Sequence, residues 1–410
     1  MFVKMTDELK VPVKVWLKDE TCIEAECLEQ AMRLAQLPFL HKWVALMPDT
    51  HVGMGMPIGG VIATKGVVIP NAVGVDIGCG MAYAGTNIKV ADVHSIATGS
   101  GTFMQTLVGD ILRNIPVGFN RHKKKQACAT LDKAAAEIEK YAEVPELAGL
   151  LEEGYYQAGT LGGGNHFIEI QEDDEGYLCI MIHSGSRNFG KTVCDYFAKT
   201  ARALNVKWYS EVPEEWRLGF LPTDTGEGKQ YIDWMNLALD FAYENRSAML
   251  KAVQDTLDRT MAKYAHADYA YTEQINCHHN YAALENHYGE NVWVHRKGAT
   301  RARLGERAVI PGAMGSYSYV VEGLGNEPSF CSSSHGAGRQ YSRKGAMGRF
   351  TAEQVICDLK EQGVVLGKLN KADVAEESRF AYKNIDEVME NQLDLVKAVK
   401  RLKTVGVVKG

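Results

Sequence analysis

Six short segments of the chain bring ligating, nucleophilic or phosphate-binding side chains together, five of them beside glycine. In Val73-Gly-Val-Asp76-Ile-Gly-Cys79-Gly80 a carboxylate and a thiol stand three residues apart on a turn, where both can reach one cation once the thiol is ionised. Taken alone that pair is weak, since a capping aspartate beside a buried cysteine is the commoner explanation. In Gly162-Gly163-Gly164-Asn165-His166-Phe167, followed by Glu169, consecutive glycines let backbone N–H groups converge on a phosphate, with a donor and an imidazole at the same edge. His183 closes the apolar run 178–182 and is followed by Ser184-Gly185-Ser186-Arg187, a ligand next to a phosphate clamp. In Asn276-Cys277-His278-His279-Asn280 the adjacent histidines cannot easily face one ligand, so at most one of them binds metal. For each of these histidines taken singly, a structural role is the plain alternative. Ser332-Ser333-Ser334-His335-Gly336-Ala337-Gly338-Arg339, with Arg343 four residues on, is poorly suited to a core. It suits a nucleophile that approaches phosphorus while arginines offset the charge. His295-Arg296-Lys297 with Arg301 could track an RNA backbone or line a solvated face.

Elements must hold these segments together. Half of the 40 glycines fall in the islands 51–60, 74–80, 159–164, 185–190, 298–315 and 336–345, and between them lie β-branched and aromatic runs. The runs 59–63, 167–170, 178–182 and 317–321 read as buried strands. Helices are expected over 132–153 and along the spacing Tyr231, Met235, Leu239, Ala242, Met249, Val253, Leu257. A last helix is expected through Val388, Gln392, Leu395, Val399 and Leu402. No internal repeat or linker interrupts the islands, so the expected organisation is one α+β domain over residues 1–410, with mixed sheets, surrounding helices and glycine-rich active-site loops.

The balance of 46% hydrophobic and 23% charged residues is that of a globular protein, and no apolar run is long enough to span a bilayer. Residues 1–20 lack the apolar stretch and small-residue site of a signal peptide. With nine cysteines, an odd number without framework spacing, the expectation is a cytoplasmic protein with reduced thiols. The net charge of −6 leaves a local basic groove open.

In this order the islands resemble the RtcB family of RNA ligases. The match begins at Met47-Pro48-Asp49-Thr50-His51 with Pro57-Ile58-Gly59-Gly60 and continues through 74–80, 162–167, 183–187, 276–280, 311–315 and 334–339 to Lys409-Gly410. The resemblance implies a single large α+β domain of that family's own topology. It implies two manganese ions bridged by Cys79, one completed by Asp76 and His166, the other by His183 and His279. His335 resembles the histidine that takes GMP from GTP, with Asp49, Arg187, Arg339 and Arg343 acting on phosphate or substrate. Asn165, Glu169, Asn280, Pro311, Gly312, Ala313, Met314, Ser318, Gly336, Ala337, Gly338 and Lys409 resemble residues at the guanylate, with Glu169 and Lys409 at the base. The implied partners are GTP, RNA with a 3′-phosphate or 2′,3′-cyclic phosphate and a 5′-hydroxyl end, and an archease-like activator; a monomer away from membranes is expected.

Two departures stand out. Val52-Gly-Met-Gly-Met56 lacks the charged residue that many relatives carry there, and Ser332-Ser333-Ser334 replaces a more usual cysteine-containing run. They leave room for a paralogue that guanylylates 3′-phosphate ends of RNA or DNA without efficient sealing. A non-catalytic RNA-binding protein with a structural metal is a rival of another class, against which His335 and Arg339 speak, because a structural site needs neither.

Overall fold

The computed structural model describes residues 1–410 apart from Ser100 and Ala372. Two sheets of an α+β fold organise it. The six-stranded sheet runs Phe2–Lys4, Val13–Val15, Leu40–His51, Ile58–Thr64, Glu290–Lys297, Asn280–His287, antiparallel except where Val13–Val15 joins Leu40–His51. The central path of the eight-stranded sheet runs Tyr271–His278, Gly80–Lys89, Tyr177–Ser184, Phe167–Asp173, Val396–Lys409, Tyr317–Gly323, Arg307–Ile310. The four runs read as strands from their β-branched and aromatic content are strands.

The helix expected from the 231–257 spacing is Gly226–Tyr264, 39 residues long, capped by the Thr225 hydroxyl at the N–H of Gly228. Its Met249, Val253 and Leu257 pack against Ala82, Ile180 and Ile182 of the eight-stranded sheet. Burial of this stripe, at roughly 2 kcal/mol per large apolar side chain, holds the sheet's back face. The helix expected over 132–153 is broken into Ala129–Ala136, Ile138–Tyr141, a 3-10 turn Pro145–Leu147, and Gly149–Gln157. Pro145 has no N–H for an interior helical bond, and Gly149 costs about 1 kcal/mol inside a helix, so the register restarts there.

The expected last helix is a correction. Helix Ile385–Glu390 ends early, and Val399 and Leu402 belong to the strand Val396–Lys409. Apolar residues three and four apart suggest a helical face, but Val396, Val399, Val405, Val407 and Val408 are β-branched and fit a pleated sheet. Antiparallel partners on both sides, Phe167–Asp173 and Tyr317–Gly323, decide the outcome.

Register delivers the chemistry to one edge. His278 pairs with Gly80, Gly80 with Ser184, His183 with Phe167, and Phe167 with Lys409. Five strands therefore end together, and the residues at or just beyond their ends are Cys79, His166, His183, His279 and Lys409. From the other sheet, Leu40–His51 brings Asp49 to the same place, next to His335 at the end of the short strand Ser332–Ser334. Among the described residues no helix is long and apolar enough to cross a membrane.

Candidate functional site

Two ligand triads share one sulfur. Cys79, His183 and His279 form one group and Asp76, Cys79 and His166 the other, each with donor atoms within 4.8 Å of one another. Cys79 Sγ lies 3.3 Å from His183 Nε2 and 3.5 Å from His166 Nε2, and His166 Nε2 lies 3.1 Å from Asp76 Oδ2. His183 Nε2 and His279 Nε2 are 3.4 Å apart. The sequence argument that only one of the adjacent histidines faces a ligand agrees with the geometry: His278 turns away, its Nδ1 at 3.1 Å from Arg246 Nη2.

The donor set fits a cation. Burial, then the neighbouring positive groups, holds His183 and His279 well below the ordinary histidine range, so both are neutral with lone pairs to give. His166 Nδ1 lies 3.0 Å from the carbonyl of Leu161, so that Nδ1–H donates there and Nε2 faces the cluster. Burial, then Asp76, pushes the Cys79 thiol well above its usual value, so its ionisation needs a cation's field. Asp76 Oδ1 is buried without a hydrogen-bond partner, an acceptor left open beside the cluster.

Arg246, fully buried on the long helix, does not stand out in the sequence. It donates to the carbonyls of Gly78 (2.7 Å) and Ser184 (3.0 Å) and so ties the Asp76–Cys79 turn to the end of the His183 strand. Asn245 beside it accepts from the N–H groups of Gly159 and Thr160 and donates to the carbonyl of Gly185. Both look like ordinary polar positions of an amphipathic helix, with no sequence signal to separate them.

His335 sits against this cluster, its ring 4.8 Å from that of His279. Asp49 Oδ2 accepts from His335 Nδ1 at 2.6 Å, from the His335 backbone N–H at 3.1 Å and from that of Gly336 at 3.3 Å. One wholly buried carboxylate thus fixes ring, tautomer and loop together. Among the described residues nothing is hydrogen-bonded to Nε2. Asp49 is itself positioned by Lys383, whose Nζ donates to the carbonyls of Pro48 and Thr50, another partner invisible in sequence. Behind His335, Gln392 donates to the Ser334 hydroxyl and accepts from its N–H. His51 bonds back to the Asp49 carbonyl, and burial lowers it to about 4.

A cavity of about 610 Å³ opens in front of His335, lined by Asn165, Glu169, His183, residues 311–314 and 336–338, Arg339, Arg343, Glu377, Tyr382 and Lys409. The glycine run 162–164, read from the sequence as a phosphate nest, also makes room for arginine. A Cβ on Gly162 would lie 1.9 Å from Arg187 Nη1, and one on Gly164 would lie 2.7 Å from Arg343 Nη2. The missing side chains let two guanidinium groups lie on the backbone. Arg187, itself at φ +61°, donates from Nε to Thr160 Oγ1 and from Nη2 to the carbonyl of Gly118. Among the described residues no hydrogen bond or ion pair holds the Arg343 guanidinium.

Arg339 is committed. It donates to Glu377, Tyr382, and the carbonyls of Glu376 and Tyr341, and it stacks over the Tyr382 ring. Lys409 is buried, in the sheet and not in a frayed tail, and its Nζ lies 3.1 Å from Glu377 Oε2. Glu169 accepts from Gln171 at 2.7 Å and Thr404 at 3.0 Å, and burial raises its carboxyl to about 7 despite those bonds and Lys409. Ser318 stands behind it, accepting from Gln171 and from the N–H of Gly312. Asn280 uses its amide on the carbonyl of Asp76 and the N–H of Gly298, which braces the metal-type turn.

The proposed backbone-tracking cations are a further correction. His295, Arg296 and Lys297 are buried in the strand Glu290–Lys297, and Arg301 pairs with Glu306. Arg296 is neutralised by Glu285, and Lys297, lowered by burial to about 8, donates to the carbonyls of Met54 and Asn71. Alternation along the strand points Arg296 into a polar interior that only the fold creates.

A buried cluster whose donor set fits a cation, a histidine held through Nδ1 and a cavity in front of it together make up the site. Comparison makes this specific. The pattern of the family described as tRNA-splicing ligase RtcB matches residues 30–410, and the chain belongs to that family. It is 38% identical to the RNA-splicing ligase RtcB of Escherichia coli K12 over 420 aligned positions, covering 97% of each chain. It is 31% identical to the tRNA-splicing ligase RtcB of Thermococcus kodakarensis, covering 99% of this chain and 96% of the other.

Proposed function

We propose that residues 1–410 form one RNA ligase unit that joins an RNA 3′-phosphate or 2′,3′-cyclic phosphate end to a 5′-hydroxyl end, using GTP and two manganese ions. The observation that carries this reading is the Asp49–His335 pair at 2.6 Å, in contact with the Cys/His cluster and opening on the cavity. With Nδ1–H donated to Asp49, the lone pair lies on Nε2, the form a phosphorus nucleophile needs.

His335 Nε2 attacks the α-phosphorus of GTP, the bond to the β-phosphate oxygen breaks, and pyrophosphate leaves. A cyclic end is opened by water to a 3′-phosphate. An oxygen of that phosphate then takes GMP from His335, restoring Nε2. Finally the 5′-hydroxyl attacks the activated 3′-phosphate and GMP leaves. Arg343, whose guanidinium has no partner among the described residues, and Arg187 offset charge on the transferring phosphate. Arg339 acts indirectly by holding Glu377 and Tyr382. Glu169 and Lys409 face the guanine, one accepting from its N1–H and N2–H, the other donating to O6. Cations held by Asp76, Cys79, His166, His183 and His279 would supply electrostatic stabilisation of the phosphate oxygens. Manganese rests on the family resemblance, since a thiolate and imidazole set by itself favours zinc.

The test is incubation with labelled GTP and either Mn²⁺ or Zn²⁺, followed by detection of an acid-labile protein–GMP adduct and of sealed RNA. An adduct with Mn²⁺ that disappears in His335→Ala is the expected result. An adduct that persists in that variant assigns the nucleophile elsewhere and overturns the reading.

A further inference from the structure

The loop before the glycine run carries a feature that nothing above uses. Phe119 is fully exposed at 106% relative accessibility, and Arg121, Lys123, Lys124 and Lys125 follow it within six residues. This loop is anchored at both ends. Gly118 donates to the carbonyl of Gly162 at 2.7 Å and accepts from Arg187, while its neighbour Val117 bridges to Gly162. Further along, His122 and Gln126 donate from the backbone to the carbonyls of Tyr156 and Tyr155. The anchored aromatic therefore stands one residue from Gly118, to which Arg187 donates, beside the glycine run that leads to Asn165 in the cavity lining.

An exposed phenylalanine on a pinned turn gains no burial energy, and its ring face is available to a ligand. The cations are not all free. Arg121 pairs with Glu153, and Lys125 pairs with Glu152 at 2.6 Å. Among the described residues no carboxylate is paired with Lys123 or Lys124. Two unpaired ammonium groups beside an exposed ring, running away from a phosphate-handling cavity, have the composition of a single-strand platform. The ring stacks on a base without regard to sequence, and the cations neutralise phosphates. A protein partner would more naturally bury an aromatic within an apolar patch with few charges at its centre. Here the aromatic is surrounded by Asn120, Arg121 and lysines.

We propose that residues 119–125 form a platform for the RNA strand whose end lies in the cavity, with Phe119 stacking on a base and Lys123 and Lys124 contacting its backbone. The proposal rests on the RNA-ligase reading and adds the path of the substrate beyond the reacting end. It accounts for why Arg187 is tied to Gly118, since one guanidinium then braces the platform against the glycine run beside the cavity.

The test uses the full chain and an oligoribonucleotide of about ten nucleotides, the scale of single-strand sites, with a 3′-phosphate and a fluorophore at the other end. Binding is followed by anisotropy over a salt series. Phe119→Ala is expected to weaken binding on the order of tenfold, with Phe119→Trp restoring it. The double variant Lys123→Ala/Lys124→Ala is expected to reduce the slope of log K against log salt by about 1.4, roughly 0.7 for each phosphate no longer neutralised. Both variants keep wild-type protein–GMP formation, because none of the three residues lines the cavity. Unchanged affinity and slope overturn the platform, including the case where the variants instead lose a protein partner. A wild-type chain that binds the oligonucleotide through these residues but forms no GMP adduct overturns the ligase reading and leaves the platform standing.

Discussion

The two halves of the site treat charge in opposite ways. In the cluster around Cys79, neutral imidazoles, a protonated thiol and a carboxylate with an open oxygen converge. At the far end of the cavity, Arg339, Glu377, Tyr382 and Lys409 neutralise one another within the protein. The first region keeps an open acceptor at Asp76 Oδ1, and the second is internally satisfied. A ligand therefore fills an existing electrostatic demand in one place and must share existing bonds in the other. Substitutions in the first should act on occupancy, those in the second on selectivity.

The largest effect is expected at the shared sulfur. Cys79→Ser should lower occupancy of both cation positions, whereas His166→Ala and His183→Ala should each lower mainly one, as titration calorimetry with Mn²⁺ would resolve. Loss of one equivalent in all three variants would make the cluster mononuclear and remove half of the contrast. Next is Asp49→Ala, which frees the His335 ring and its tautomer. The rate of protein–GMP formation should drop by about 10²–10⁴, the usual scale for loss of an acid–base orienting group, with cation binding kept.

Glu169 gives the third, through pH. In the unfolded chain its carboxyl ionises near 4.5, whereas in the fold it keeps its proton to about 7. The raised value works against the folded state: nothing is lost below 4.5, stability falls as pH rises towards 7, and the full penalty of about 3 kcal/mol stands above that. Glu169→Gln keeps an acceptor for Gln171 and Thr404 and cannot ionise. Its stability relative to wild type should therefore improve between about pH 5 and about pH 8 in urea unfolding. A constant difference across that range would show that the carboxyl is ionised throughout. The smallest effect is expected from Lys409→Met. Glu377 keeps Arg339 as a counter-charge, so the fold should survive, and the margin of GTP over ATP in adduct formation should narrow about tenfold. Unchanged selectivity would leave Lys409 as only an internal partner of Glu377.

The contrast also governs what sequence can reveal. Four of the five ligating-type residues are legible because each sits in a glycine-rich run of unusual composition, and His279 because it stands in a His-His pair between Cys277 and Asn280. Glu377, Tyr382, Lys383, Gln392 and Arg246 are not, since each lies among ordinary polar residues and acquires meaning only from a partner far away in the chain. The Lys383 bond to Pro48 spans 335 residues. The strand Val396–Lys409 mimics a helix for the same reason: its apolar spacing satisfies a helical face locally, and the two strands that recruit it lie elsewhere. Arg296 and Lys297 look like surface cations because no short pattern marks a buried polar pocket.

That same strand has a kinetic meaning. It pairs with Phe167–Asp173, and its Lys400 reaches Asp173 across 227 residues, while Asp49 meets His335 across 286. Pairings this distant form late, because loop-closure entropy is lost before they return any energy, and sheets built on them assemble over milliseconds to seconds or longer. A partly folded chain can hold its helices and hairpins yet has neither an oriented His335 nor a closed cavity. The oriented Asp49–His335 pair thus exists only in molecules that have completed their topology, and a misfolded chain carries a histidine without its partner.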